Sequence, residues 1–95
     1  MLERRFKQKV KQKHKDWIFI ELIPGAGVPM GFPDTLAIKP DGTCAFIEWK
    51  RSKNAQKQPL QQYWHDKLEE MQHDVMFISP ENEYKLNNRK GDDNV

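Results

Sequence analysis

Hydrophobic and polar residues follow each other along this chain with periods that predict six secondary-structure elements. Leu2, Phe6 and Val10 recur every four residues, which predicts an apolar stripe on an otherwise charged helix that ends near residue 14. Continuous or nearly continuous apolar runs predict strands at 17–23, 35–38, 44–50 and 75–78. The pattern therefore predicts an α/β fold with a small mixed sheet flanked by helices, in the order α-β-β-β-α-β.

A second helix is predicted between the last two strands. Pro59 suits the first turn of a helix, where its missing N–H has no cost. Apolar residues follow it at helical spacing and predict a core-facing stripe of Leu60, Trp64, Leu68 and Met71. A short helix is expected from Glu81, so we expect one domain at 1–86 and a polar tail at 87–95.

Charged residues stand at the ends of two strands that a tight turn joins. The turn at 39–42 has the sequence Lys-Pro-Asp-Gly, in which Pro fixes φ and Gly permits a positive φ. The resulting hairpin would bring Asp34, just before one strand, close to Glu48 and Lys50 on the other. Residues i and i+2 of a strand share a face, about 7 Å apart, so Glu48 and Lys50 point the same way.

Two carboxylates and an ammonium group at one point suit metal-dependent phosphodiester hydrolysis. Carboxylate oxygens are the ligands that Mg²⁺ prefers, so Asp34 and Glu48 are candidate ligands of Mg²⁺ or Mn²⁺, together with the backbone carbonyl of Trp49. Lys50 would orient or deprotonate the attacking water, or neutralise charge on the phosphate. A surface ion pair is the simpler interpretation of Glu-x-Lys, but the apolar residues before Glu48 indicate a buried central strand.

The distribution of charge indicates a nucleic-acid partner, although the net charge of the 95 residues is only +2. Residues 4–15 contain seven lysines and arginines and no acid, and a second basic group follows Glu48. The candidate nucleic-acid-binding residues are Arg4, Arg5, Lys7, Lys11, Arg51, Lys53 and Lys57. Simple solvation of a lysine-rich helix is the alternative.

The remaining composition argues against secretion and against a membrane segment. The single cysteine, Cys44, excludes an intramolecular disulfide and is expected in the core. Glu21 and Pro24 interrupt the apolar run after the basic segment too early for a signal peptide, and no run is long enough to span a bilayer. We therefore expect a cytoplasmic protein.

Three motifs together resemble the VRR-NUC family, a compact branch of the PD-(D/E)XK nuclease superfamily found in small phage and bacterial proteins. They are Gly31-x-Pro33-Asp34, Glu48-x-Lys50 and Gln61-x-x-Trp64, and the resemblance spans about residues 2 to 80. It implies a restriction-endonuclease-like core, with Asp34 and Glu48 as metal ligands, Lys50 as the catalytic lysine and Gln61 as a supporting active-site residue. A glutamate on the family's first helix matches Glu3, which would be a further catalytic residue and metal ligand.

The sequence departs from the family pattern in one place and leaves two assignments open. A glycine often found after the last helix is absent, and His73-Asp74 stand there instead. Glu21 is an alternative to Glu3 as the additional acid, and Gln62 is an alternative to Gln61.

The function that the residues and the resemblance together imply is a Mg²⁺- or Mn²⁺-dependent DNA endonuclease. The expected substrates are branched, flap or duplex DNA, and the expected state is a homodimer in the cytoplasm of a bacterium or a phage-infected host. Two alternatives remain. One is a non-catalytic nucleic-acid-binding module on a nuclease-like fold, and the other is a small interaction protein with an acidic partner.

Overall fold

Seven elements make up the computed structural model, which describes residues 2–87 and their side chains from Arg4 onward. They are α1 (Leu2–Lys13), β1 (Ile18–Glu21), β2 (Thr35–Ile38), β3 (Cys44–Trp49), α2 (Pro59–Glu70), β4 (Asp74–Ile78) and a final 3₁₀ helix (Pro80–Asn87). The predicted order and the predicted α/β fold class are confirmed. Of the predicted tail at 87–95, only Asn87 lies within the described residues, so the domain boundary at residue 86 stays a prediction.

The four strands form one mixed sheet in the order β1-β2-β3-β4. β1, β2 and β3 are antiparallel neighbours, whereas β3 and β4 are parallel and are connected through α2. β3 therefore has a hydrogen-bonded neighbour on each side, as its apolar run predicts. The register pairs Thr35 with Ile47 across β2 and β3, and Ile47 with Met76 across β3 and β4.

The main hydrophobic core lies between α1 and one face of the sheet. Its buried members are Val10, Ala37, Ile47, Trp49, Ile78 and Leu86. Phe6 of α1 meets the Trp49 ring edge-on, with centroids 5.9 Å apart. The indole N–H of Trp49 donates to Thr35 Oγ1 at 2.8 Å, so the largest buried side chain leaves no polar group unsatisfied. Trp49 is thus a core residue.

Helix α2 covers the other face of the sheet. Phe32, from the segment before β2, packs edge-on against Phe46 of β3 and Trp64 of α2, with centroid distances of 5.6 Å and 5.4 Å. Leu68, also on α2, is buried. The helix is thereby fixed beside the part of β3 that carries Glu48.

Three residues predicted for the core are exposed, and that part of the prediction was wrong. Leu60 and Met71 are 54% and 66% exposed, because they stand at the first turn and at the C-cap of α2. Cys44 is exposed at the start of β3, next to the hairpin turn. Apolar periodicity correctly predicted the helix and the strand. It did not predict that the residues at the ends of these elements are left uncovered by the rest of the protein.

The turn after α2 forms without the glycine that such turns favour. Gln72 has a φ of 71°, in the left-handed region. The N–H groups of His73 and Gln72 donate to the carbonyls of Leu68 and Glu69, each at 3.0 Å. This pair of hydrogen bonds is a Schellman C-cap with a side chain at the position where glycine is unstrained. The absence of glycine here therefore strains the backbone but does not change the turn.

Replacing Gln72 by Gly should stabilise the fold by about 1 kcal/mol, because a left-handed conformation costs an L-residue roughly that much. Urea unfolding followed by circular dichroism measures the change. Gln72→Ala is the matched control, since it removes the same side chain but keeps the Cβ, and it should give no such gain. Equal stability of Gln72→Gly and Gln72→Ala would contradict the expectation.

Candidate active site

The register between β2 and β3 places two carboxylates across from each other. Extending it by one residue beyond the Thr35–Ile47 pair sets Asp34 opposite Glu48. Directly opposed residues on one face have Cβ atoms about 4.5–5.5 Å apart. Asp34 Oδ2 accepts a hydrogen bond from the N–H of Trp49 at 3.2 Å, which holds this carboxylate beside the Glu48 backbone. Both acids therefore lie on the α2 face of the sheet, at one end of the hairpin.

The amide of Gln61, in the first turn of α2, connects Glu48 with Lys50. Its Nε2 donates to Glu48 Oε2 at 3.0 Å, and its Oε1 accepts from Lys50 Nζ at 2.7 Å. Glu48 is 7% exposed, so this end of the network is shielded from solvent. The same Oε1 accepts the N–H of Gln58 at 3.1 Å, which caps the helix and fixes the orientation of the amide.

Gln62, the alternative to Gln61, lies elsewhere on α2. Its Nε2 donates to Asp66 Oδ1 at 2.8 Å, one turn along the exposed side of the helix. The structure therefore brings Gln61, and not Gln62, to Glu48 and Lys50. The roles of Asp34, Glu48, Lys50 and Gln61 in chemistry stay predictions.

Gly31 explains how the start of α2 comes so close to the loop before β2. Its φ is 83°, and a Cβ at this position would lie 2.5 Å from Leu60 Cβ, 2.8 Å from Leu60 C and 3.1 Å from the backbone N of Gln61. The two contacts with Leu60 are shorter than carbon atoms tolerate, and the contact with Gln61 is tight. The glycine of the Gly31-x-Pro33-Asp34 motif thus lets one loop position both Asp34 and the turn that carries Gln61.

The additional acid remains unassigned. The side chain of Glu3 lies outside the described residues, and α1 packs on the face of the sheet opposite Glu48. Glu21 pairs with Thr35 and shares that opposite face. It accepts hydrogen bonds from Lys11 at 2.7 Å and from Lys7 at 3.1 Å. Glu21 is therefore occupied in an ion-pair cluster away from Asp34 and Glu48.

This cluster changes the ionisation of Glu21. Partial burial raises the pKa of the Glu21 carboxyl, but the hydrogen bonds and charges of Lys11 and Lys7 outweigh that effect, so the net pKa is lowered. Glu21 thus stays ionised and neutralises part of the charge of α1.

The candidate nucleic-acid-binding residues fall into two groups. On α1, Arg4 and Arg5 are exposed, whereas Lys7 and Lys11 are paired with Glu21. The second group lies in the segment between β3 and α2, beside the active-site candidates, and consists of Arg51, Lys53 and Lys57. The backbone N–H of Lys53 donates to Glu81 Oε1 at 3.0 Å, which attaches this segment to the 3₁₀ helix.

The donors at Asp34 and Glu48 fit a hard divalent cation. Mg²⁺ commonly takes one or two carboxylates and completes its octahedron with water and phosphate oxygens. Asp34, Glu48 and the carbonyl of Trp49 are oxygen donors of that kind. Within residues 4–87, no group of three or more His, Cys, Asp or Glu side chains is arranged to hold a metal ion. A Mg²⁺ ion held by these donors would complete its coordination with water.

Two residues near the site were not found from the sequence. Thr35 accepts the indole N–H of Trp49 and donates to Glu21 at 3.3 Å, so its hydroxyl is shared by both. Because Thr35 follows Asp34 directly, strand alternation predicts that the two side chains point to opposite faces of the sheet. No sequence signal predicts which residues Thr35 contacts. Phe77 of β4 pairs with Glu48 across the sheet and contacts Lys57 and His65. A phenylalanine in an apolar run is expected in the core, so the sequence did not single it out.

Solved structures share the fold of this chain. No family model and no curated protein matches the chain. A solved structure described as "VRR_NUC domain" superposes with a TM-score of 0.78 and 25% identity, covering 90% of this chain and 94% of that one. The chain folds as a VRR-NUC domain. A second structure, described as "VRR_NUC domain protein", has a TM-score of 0.66 and 17% identity over 83% of this chain and 78% of the other.

The VRR-NUC fold is a nuclease-domain fold and is consistent with the PD-(D/E)XK superfamily. The resemblance based on three short motifs is therefore confirmed at the level of the whole fold. Among the described helices, none is long and apolar enough to cross a bilayer.

Adding a methyl group at Gly31 should push the start of α2 away from the loop before Asp34. Gly31→Ala is expected to lose more stability than Gly27→Ala, because both have a positive φ but only Gly31 has atoms within 4 Å of the new Cβ. We expect about 1 kcal/mol for Gly27→Ala and at least twice that for Gly31→Ala. Urea unfolding of the two variants makes the comparison, and equal losses would show that Gly31 is not needed for close approach.

Proposed function

We propose that this VRR-NUC domain is a Mg²⁺- or Mn²⁺-dependent DNA endonuclease that hydrolyses phosphodiester bonds. The observation that carries the proposal is the bridging amide of Gln61, which joins Glu48 to Lys50 while Asp34 lies across the hairpin from Glu48. A solvated Glu-x-Lys pair needs no such partner. The network holds a carboxylate and an ammonium group in a fixed relation beside a second carboxylate.

The metal site would consist of Asp34, Glu48 and the backbone carbonyl of Trp49. A bound Mg²⁺ or Mn²⁺ ion supplies charge neutralisation at the phosphate and a water that deprotonates more readily. Asp34 is held by the Trp49 N–H and Glu48 by Gln61, so both carboxylates are oriented before any ion binds.

Lys50 would act on the water or on the phosphate. Two of its three N–H donors are directed to Gln61 Oε1 at 2.7 Å and to the carbonyl of Gln56 at 3.5 Å, which leaves one donor for a phosphate oxygen or for the attacking water. An ammonium next to the reacting phosphate favours the extra negative charge of the transition state. Gln61 is a positioning residue in this scheme, because it fixes Glu48 and Lys50 together.

DNA would approach the site along the basic residues of the segment after β3. The basic residues of α1, on the other side of the sheet, would add further contacts. Arg51 is exposed next to Lys50, and Arg4 and Arg5 are exposed on α1. A homodimer is supported by Ile18 and Ile20 of the edge strand β1, which are 58% and 42% exposed. Two sites related by a two-fold axis would suit branched or flap DNA in a bacterial or phage-infected cytoplasm.

A non-catalytic DNA-binding module is the second candidate. It is favoured by one observation: the described side chains provide two carboxylates at the site, and the arrangement contains no third acidic or histidine ligand. Such a module would keep the basic residues and the fold but would not bind a divalent ion tightly enough to cut.

Cleavage of labelled four-way junction, flap, duplex and single-stranded DNA with Mg²⁺ or Mn²⁺ tests the proposal. We expect the wild type to cut, and Asp34→Asn, Glu48→Gln and Lys50→Ala each to lose roughly a hundredfold or more, as removal of a charge-stabilising group typically does. Gln61→Leu should lose activity too, because Glu48 and Lys50 then lose their common partner.

Glu70→Gln and Lys67→Ala are the matched controls, since each removes one exposed charge from α2 outside the site, and both should cut like the wild type. A folded wild type that binds DNA but cuts none of the four substrates would contradict the endonuclease and support the non-catalytic module.

A further inference from the structure

The ring of Phe77 brings a second lysine to the proposed active site. Phe77 pairs with Glu48 in the parallel register of β3 and β4, so both side chains lie on the α2 face. Lys57 Nζ lies 4.6 Å from the Phe77 ring centroid, and Lys50 Nζ lies 5.8 Å from the same centroid. Two ammonium groups therefore lie near one ring, next to the acid that we assign to the metal.

The position of Lys57 is fixed by its neighbours in sequence as well as by the ring. The carbonyl of Gln56 is 3.5 Å from Lys50 Nζ, and the N–H of Gln58 donates to Gln61 Oε1 at 3.1 Å. The residues before and after Lys57 thus both contact the Lys50–Gln61 pair. The backbone of Lys57 is therefore held beside the network of the site on both sides.

His65 supports the ring from α2. Its imidazole stacks on Phe77 with centroids 4.8 Å apart and an interplanar angle of 16°. Gln61 and His65 are one helical turn apart and so lie on the same side of α2. The helix that positions the bridging amide therefore also holds the ring that Lys57 contacts.

Among the described residues, Lys57 forms no ion pair with a carboxylate. Lys7, Lys11 and Lys13 are paired with carboxylates, whereas no carboxylate in residues 4–87 forms an ion pair with Lys57. A cation–π contact orients an ammonium group but does not neutralise its charge. Lys57 is thus an oriented positive charge that is free to meet an anion.

We propose that Lys57 binds a phosphate of the DNA next to the one that is cut, and that Phe77 is its positioning residue. This inference rests on the proposed nuclease function. Lys50 acts at the reacting phosphate and Lys57 binds the substrate before and during the reaction, so the two lysines affect different kinetic constants. Lys57 stabilises ground state and transition state alike.

Steady-state cleavage of a duplex or flap substrate separates the two roles. We expect Lys57→Ala to raise KM by about tenfold with kcat changed less than twofold, as for uniform loss of one charged hydrogen bond. Lys57→Arg should restore KM, and Phe77→Leu should raise KM although no charge is removed. Lys67→Ala removes an equal charge from the exposed end of α2 and should leave KM unchanged.

The salt dependence of DNA binding reports the number of phosphate contacts and does not change when a substitution only perturbs the fold. Anisotropy titrations in EDTA between about 50 and 200 mM salt should show the slope of log Kd against log salt reduced by about one in Lys57→Ala and unchanged in Lys67→Ala. Equal KM and equal slopes for Lys57→Ala and Lys67→Ala would overturn the inference while leaving the nuclease intact. Absence of cleavage by the wild type contradicts the nuclease, and the binding slopes then still decide whether Lys57 contacts phosphate.

Discussion

The antiparallel register of β2 and β3 determines on which side of the sheet each candidate residue lies. With Thr35 opposite Ile47, the alternation of strand residues puts Asp34 and Glu48 toward α2 and puts Thr35 and Trp49 toward α1. A slip of one residue would turn Glu48 into the core under α1 and Trp49 toward α2. The buried Trp49 ring, bonded to Thr35 and packed on Phe6, therefore stabilises the same register that assembles the acids.

Helix α2 depends on that register and completes the site. Gly31 allows the first turn of the helix to approach the loop before Asp34, and the Gln61 amide then joins Glu48 with Lys50. His65, one turn later, stacks on Phe77, which stands beside Glu48 in the sheet. One helix thus holds both the bridging amide and the ring on which Lys57 is oriented. The site is a property of packed elements rather than of a flexible loop.

Local sequence patterns predicted the order of the elements and the hairpin between β2 and β3. The Lys-Pro-Asp-Gly turn and two apolar runs are short-range signals, and they were sufficient to predict the hairpin and to place Asp34 near Glu48 and Lys50. The contacts between distant segments could not be predicted in this way. Nothing near Lys7 or Lys11 in sequence shows that Glu21 neutralises them, and no pattern shows that Lys57 lies over Phe77. The exposure of Leu60 and Met71 was not predicted, because periodicity does not show which turns of a helix extend beyond the sheet beneath it.

Binding of Mn²⁺, followed by the loss of the free-ion electron paramagnetic resonance signal, tests the central claim most directly. That claim is that the hairpin register forms a divalent-cation site from Asp34 and Glu48. It predicts a saturable site in the wild type that is lost in Asp34→Asn and in Glu48→Gln and kept in Glu70→Gln, which removes an equal charge from an exposed position. Identical Mn²⁺ binding by all four proteins, or no binding by the folded wild type, would contradict it.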